Sequence, residues 1–153
     1  MLRHMALTCF TICCANTALA GVISMVGAEF AASGRFYSVN ERDATLTELG
    51  RTNSFLISLD YSPSVILYSV GTSIQEVDPA TGLTSNRRPL TFTGGPSSDL
   101  MSGITFSTSG ELYGVGNNTG NIWKIDVGTA VAEFVGTSSA TMFALEFGPN
   151  GVL

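Results

Sequence analysis

Past residue 14 the sequence has neither cysteine nor histidine: Cys9, Cys13, Cys14 and His4 are the only ones in 153 residues. Once a leader containing them is removed, no disulfide, no thiolate or cysteine–histidine nucleophile, no serine–histidine triad and no usual zinc ligand set remains available. The three cysteines also lack the two-pair spacing of a metal site. Charge is scarce as well. Only 12% of residues are charged, where about 25% is usual. Lys124 is the sole lysine, and the only adjacent basic pair is Arg87-Arg88. Without Arg3, six basic residues face twelve acidic ones, a formal charge of −6. A chain this acidic, with no basic cluster, excludes nucleic acid as an expected partner. No cofactor signature is present: the glycine-rich GVGNNTGN at 114–121 has no phosphate-binding lysine and leads into a strand pattern, so it reads as a hairpin turn.

Residues 1–20 read as a signal peptide. Arg3 and His4 are followed by an apolar run from Met5 to Ala15, broken only by Thr8 and Thr11, and Ala18-Leu19-Ala20 gives the small-x-small pattern of a cleavage site after Ala20. The alternative is an uncleaved membrane anchor, because no charge appears between Met5 and Ala28. Membrane contact is expected only in that case. Either way the chain is expected outside the cytoplasm, secreted, periplasmic or at the cell surface. The leader is expected to be helical.

What remains has 17 glycines in the chain as a whole and no sustained apolar period near 3.6. Alternation is visible in NIWKID and FYSVNE. That pattern predicts an almost all-β domain of short strands and tight turns. Within it a phrase recurs: EFAASGRFYSV (29–39), DYSPSVILYSV (60–70), TFSTSGELYGV (105–115) and EFGPNGVL (146–153). The aromatics Phe30, Tyr61, Phe106 and Phe147 stand 31, 45 and 41 residues apart. A second phrase recurs at an offset of 48: SIQEVDPATG (73–82) over NIWKIDVGTA (121–130), with Ile74 over Ile122, Val77 over Ile125 and Asp78 over Asp126. Each reads as a strand ending in an aspartate-capped turn.

Intervals of 45 and 41 residues have the length of a four-stranded propeller blade. The expected strands of 106–147 are ELYGVG, NIWKID, AVAEFVG and TMFALEF; those of 67–106 are ILYSVG, SIQEVD, PLTFTG and SGITFS. The first interval is a hairpin short. RFYSVNERDATLTELG aligns either as a first strand or, by VNERDAT over VDPATGL, as a second and third.

These phrases, with the Asp-Pro-Ala-Thr-Gly turn and the aromatic-turn-Gly-Leu-Tyr-Gly-Val order, resemble the repeats of secreted bacterial β-propeller proteins of the YVTN/quinoprotein-like group. The resemblance covers most of residues 29–153 and implies a fold more than an activity. The expected domains are therefore a signal peptide at 1–20 and an incomplete propeller at 21–153, with blades at roughly 29–60, 61–105 and 106–147 and the start of another at 148–153. Ending inside a strand, the chain is expected to be a fragment of a longer propeller; assembly with other copies through open blade edges is the alternative.

Candidate site residues are few, and no catalytic, metal or cofactor residue is assigned. Trp123, the only tryptophan, is the candidate ligand contact because its repeat mate is the polar Gln75, although packing between blades is the commoner role. Phe106, Tyr61 and Phe147 are assigned to inter-blade core. Asp78 and Asp126 lie outside any calcium-loop pattern and are assigned to turn capping. Glu41 and Asp43 sit in a turn-like NERDAT, a poor place for an acid–base pair. The expected function is an exported, non-catalytic propeller module that binds a protein, glycan or other extracellular ligand. The alternatives are an exported propeller lyase or hydrolase with its active residues in other blades, and a structural surface protein.

Overall fold

A computed structural model describes residues 10–13, 25–148 and 151–153. Among these residues there is no helix; the chain forms three twisted sheets. The first holds β1 (Phe10–Cys13), β2 (Met25–Glu29), β3 (Arg35–Val39) and β4 (Leu46–Arg51); the second holds β5 (Leu59–Tyr61), β6 (Leu67–Val70), β7 (Ser73–Val77) and β8 (Thr84–Pro89). Both are antiparallel in chain order. In the third, β9 (Thr91–Thr93) lies parallel to the outer strand of an antiparallel set, β10 (Met101–Phe106), β11 (Leu112–Gly116), β12 (Asn121–Asp126) and β13 (Val131–Thr137). Leader cleavage at Ala20 lies outside the described residues, as does the leader helix apart from 10–13. That short piece is a strand paired with β2, Cys13 opposite Val26.

Strand alternation explains how the sheets stack. In the second sheet, Leu67 and Ser69 pair with Val77 and Gln75 on one face, while Tyr68 and Val70 pair with Glu76 and Ile74 on the other. The Leu67–Val77 face closes a core with Val26, Ala28 and Phe36 of the first sheet and Leu56 and Leu59. The Tyr68–Val70–Ile74 face closes a larger core with Met101, Ile104, Leu112, Trp123 and Ile125 of the third. Each such side chain, buried from water, contributes roughly 1.5–3 kcal/mol. The innermost strands β1, β5 and β10 touch in succession. Sheets packed face to face in series around a common inner edge are the blades of a partial β-propeller.

One turn identifies the equivalent strands. The carbonyls of Asn40, Asp78 and Asp126 each accept the N–H of the residue four on, Ala44, Gly82 and Ala130, at 2.8 Å. The side-chain oxygens of the same three accept the N–H two on, from Arg42, Ala80 and Gly128. The fifth residue is left-handed in all three, with φ of 55°, 77° and 60°. So β3, β7 and β12 occupy one repeat position, and of the two alignments of RFYSVNERDATLTELG the second-and-third-strand alignment is correct. Phe30 then falls in the β2–β3 turn and is not a counterpart of the other aromatics.

Those other aromatics keep one role. Phe106 packs on Tyr68 with ring centroids 5.6 Å apart, and Phe147 packs on Tyr113 at 5.4 Å; Tyr61 packs against the core between the first two sheets. Three expected strands change place. PLTFTG spans the end of β8 and all of β9, which joins the third sheet, and SGITFS lies in β10, which opens that sheet instead of closing the second. TMFALEF forms no strand. Its Ala144 passes against β10, where a Cβ on Gly103 would lie 2.7 Å from the Ala144 Cα. The SGITFS strand shows why the boundary moves: the strand that ends at a repeat aromatic, β5 at Tyr61 and β10 at Phe106, is the innermost one of its own sheet.

Candidate functional site

In an up-and-down blade the turn between second and third strands and the connection to the next blade share one rim. On that rim, between the first and second sheets, opens a cavity of about 540 Å³. The β2–β3 turn brings Phe30 to it and the β4–β5 connection brings Phe55; their rings tilt together with centroids 5.5 Å apart. Both stay open to solvent, 54% and 49% exposed. Asn53, on the same connection, is clamped to the start of β8: its Oδ1 accepts from the N–H and hydroxyl of Thr84, at 2.8 and 2.9 Å.

The floor is Gln75 of β7, only 4% exposed. Its Nε2 donates to the Phe55 carbonyl at 3.1 Å, and its Oε1 has no protein donor. A buried amide oxygen left this way is costly, on the order of 1–3 kcal/mol. On the wall, a bulge between Ile74 and Glu76 sets Asn86 and Arg87 opposite Gln75, with Asn86 left-handed at φ 51°. Bulges re-aim side chains. Arg87 lines the cavity, whereas Arg88 points to the third sheet and donates to the Val127 and Gly128 carbonyls.

At the equivalent rim position of the third sheet stands Trp123, in the place of Gln75. The expectation that it contacts ligand needs correcting: its ring is 0% exposed and held between Phe92 and Phe134, at 4.8 and 5.3 Å. Its Nε1 donates to Asp99 Oδ2 at 3.0 Å. Gln75 and Trp123 thus perform one task, each donating to the connection that enters the innermost strand of its own sheet. Asp99 also accepts from Thr119 and Asn121, and Gly116 leaves the room: a Cβ there would lie 2.2 Å from the carboxylate.

Two carboxylates lie along the innermost edge. Asp60 Oδ2 accepts the Phe106 N–H at 2.7 Å, across the second and third sheets. Glu146, two repeats further in the recurring phrase, has its carboxyl pushed up by partial burial and by the Asp60 charge. Elsewhere, Asp78 and Asp126 are held below the usual carboxylate range, by the Thr81 hydroxyl and Ala80 N–H and by the Thr129 and Gly128 N–H groups respectively. Both serve as turn caps. Glu41 and Asp43 lie in an exposed turn, with Asp43 accepting the Thr45 N–H at 3.0 Å. Among the described residues no three His, Cys, Asp or Glu side chains come together as a metal site.

Sequence reasoning missed Phe30 and Phe55 as a pair, Gln75 as a floor, and Asp99. The first three are joined only by the turn of the blade, at separations of 20 residues or more. The polar repeat mate of a tryptophan was the visible signal, and it pointed to Gln75 more than to Trp123.

No family model and no curated protein matches the chain in sequence. Solved structures do match in fold. A luciferin-regenerating enzyme superposes with a TM-score of 0.56 at 19% identity, covering 83% of this chain and 47% of its own. Virginiamycin B lyase from Staphylococcus aureus gives 0.55 at 13%, covering 93% and 51%. Regucalcin from Agrobacterium tumefaciens, a calcium-binding protein, gives 0.51 at 16%, covering 84% and 46%. The chain therefore spans about half the length of these structures, and at such identities the likeness is one of fold: an all-β partial propeller of antiparallel blades.

Proposed function

We propose that this chain is an exported, non-catalytic propeller module that binds a ligand at the rim cavity between its first two blades. The observation that carries the reading is a solvent-open aromatic pair, Phe30 and Phe55, above a buried amide oxygen of Gln75 that has no protein donor. Cavities with apolar walls and a few polar groups are the usual form of small-ligand sites. Export rests on the leader pattern at 1–20 with cleavage after Ala20, which would take β1 away and leave β2 as the inner edge of the first sheet; N-terminal sequencing of the protein recovered outside the cytoplasm tests it. Self-association through open blade edges belongs to the same proposal, and light scattering reads it. The binding test is a thermal-shift panel of small organic molecules and oligosaccharides on the wild type and on the Phe30→Ala/Phe55→Ala variant. Ligands that raise the wild-type Tm and leave the variant unmoved support the site. Equal shifts in both proteins, or none in either, sink it.

A second reading, an exported propeller lyase or hydrolase, is favoured by one observation, the Asp60 and Glu146 carboxylates on the innermost edge with Glu146 held toward its protonated form. Hydrolytic activity abolished by Glu146→Gln, with the fold intact, would decide for it.

A further inference from the structure

Resting on that binding reading, the wall and floor of the cavity also specify a ligand class. We infer that the rim cavity takes a planar ring bearing an anionic group at one point and an O–H or N–H donor at another: an aromatic carboxylate with a free hydroxyl or amine.

The ring follows from the two phenylalanines. Tilted 51° to each other at 5.5 Å, they form a V and not a flat platform. Aromatic rings prefer edge-to-face or offset contact at centroid distances near 4.5–7 Å; the two rings already touch each other that way, so a third ring packs on the surface they leave open to the cavity. Neither ring belongs to either core, and each keeps about half of its surface in water.

The anion follows from Arg87. Two other described cations near this rim are already engaged: Arg35 is committed to Glu29 by two hydrogen bonds, at 2.9 and 2.7 Å, and Arg51 opposite it donates to the Ser33 carbonyl at 3.3 Å. Arg88 is spent on carbonyls of the third sheet. Arg87 lines the cavity, no ion pair or hydrogen bond with the described residues engages its guanidinium, and no carboxylate is among the cavity's described lining side chains. A planar guanidinium in that setting matches a carboxylate through two parallel N–H bonds.

The donor follows from Gln75. Its amide is fixed the right way round, because the NH₂ end is taken by the Phe55 carbonyl. The oxygen left over accepts only. A ligand hydroxyl or amine supplies what it lacks, and a ligand that brings another acceptor there is rejected. The bond to Phe55 ties the floor to the aromatic wall, so ring and donor are recognised together.

The test uses 4-hydroxybenzoate as probe, with phenol as the neutral ring, benzoate as the ring without donor, and acetate as the anion without ring. Calorimetry on the full chain should rank 4-hydroxybenzoate first, with phenol and benzoate each weaker by about tenfold, the worth of one charged or buried hydrogen bond, and acetate not bound. In Arg87→Gln, an exposed change that leaves the fold alone, 4-hydroxybenzoate falls to the level of phenol while phenol itself is unchanged. Near-ultraviolet circular dichroism of the buried Trp123 confirms the fold of each variant. If 4-hydroxybenzoate binds no better than phenol, or Arg87→Gln weakens both alike, the ligand class is wrong while the cavity survives as a binding site. If the thermal-shift panel finds ligands lost in the Phe30→Ala/Phe55→Ala variant and none is an aromatic acid, the class is again overturned and the binding reading stands.

Discussion

Asp99 and Trp123, 24 residues apart, meet through a 3.0 Å hydrogen bond from the indole Nε1 to Oδ2, and the indole is wholly buried. The same oxygen accepts from Thr119 Oγ1 and Asn121 Nδ2, each at 3.0 Å, so one carboxylate fixes the entry into β10, the β11–β12 turn and the centre of β12. Replacing it by alanine strands a buried N–H, a cost of about 1–3 kcal/mol, and loses two further charge-assisted bonds. Asp99→Ala is expected to lower stability by about 3 kcal/mol in urea denaturation followed by Trp123 fluorescence. In a Trp123→Phe background, followed by circular dichroism, the loss should shrink by about 1 kcal/mol or more; an equal loss in both backgrounds would mean the indole bond contributes nothing.

The repeated turn makes opposite demands at two of its left-handed positions. Ala44, exposed at φ 55°, pays the strain of a Cβ there, about 1–2 kcal/mol, of which glycine's backbone freedom returns 0.5–1 kcal/mol. Ala44→Gly should therefore stabilise by roughly 0.5–1 kcal/mol. At Gly82 the added Cβ is both left-handed and 2.6 Å from Phe36 Cβ, in the core between the first two blades. Gly82→Ala should destabilise by about 3 kcal/mol, combining strain with core displacement. Thermal unfolding that moves the two variants in the same direction would refute the equivalence of the turns.

At the β2–β3 hairpin, hydrogen bonds from the Arg35 side chain and backbone lower the Glu29 pKa from 4.5 to about 2. A carboxyl lowered in the folded state contributes stability that is present above its unfolded value and is lost as the pH falls through the folded value. The contribution should fade between about pH 4.5 and pH 2. The acid limb of the stability curve should be shallower in Glu29→Gln across that window and unchanged above pH 6, as measured by urea midpoints. A parallel pair of curves would show the ion pair to be energetically idle, as exposed pairs frequently are.

How much of this was legible beforehand follows from range. The strands NIWKID and SIQEVD, their shared register and the Asp-led turns were readable because each is a local pattern: alternation of two, then an aspartate capping the amide two residues on. Blade boundaries were not, because the aromatic that marks the repeat ends the innermost strand, and a sequence does not say on which side of a landmark its hydrogen-bonded partners lie. EFAASGRFYSV resembled the later phrases closely enough to mislead; only the αL residue Ala44, four after Asn40, aligns that hairpin correctly. The cavity was out of reach for a different reason. Phe30, Phe55 and Gln75 belong to three separate loops and strands, and nothing but blade stacking makes them neighbours.

Arg87 and Arg88 are adjacent in sequence and divided by the fold. Arg88, on the face toward the third blade, is the only described side chain of the second sheet shown reaching the β12–β13 turn, where its guanidinium nitrogens donate separately to the Val127 and Gly128 carbonyls. A lysine cannot reproduce that fork, since its ammonium is a single point on a flexible stem. Arg88→Lys should accordingly cost about 1 kcal/mol and Arg88→Ala about 2 kcal/mol, the second leaving both carbonyls to solvent and removing stem packing. Arg87, exposed on the cavity wall with no hydrogen-bond partner among the described residues, should accept lysine, glutamine or alanine within about 0.5 kcal/mol. Urea midpoints for the five variants separate the two roles: if Arg87 substitutions proved as costly as those at Arg88, the guanidinium lining the cavity would be part of the scaffold, and it would no longer be free to receive an anion.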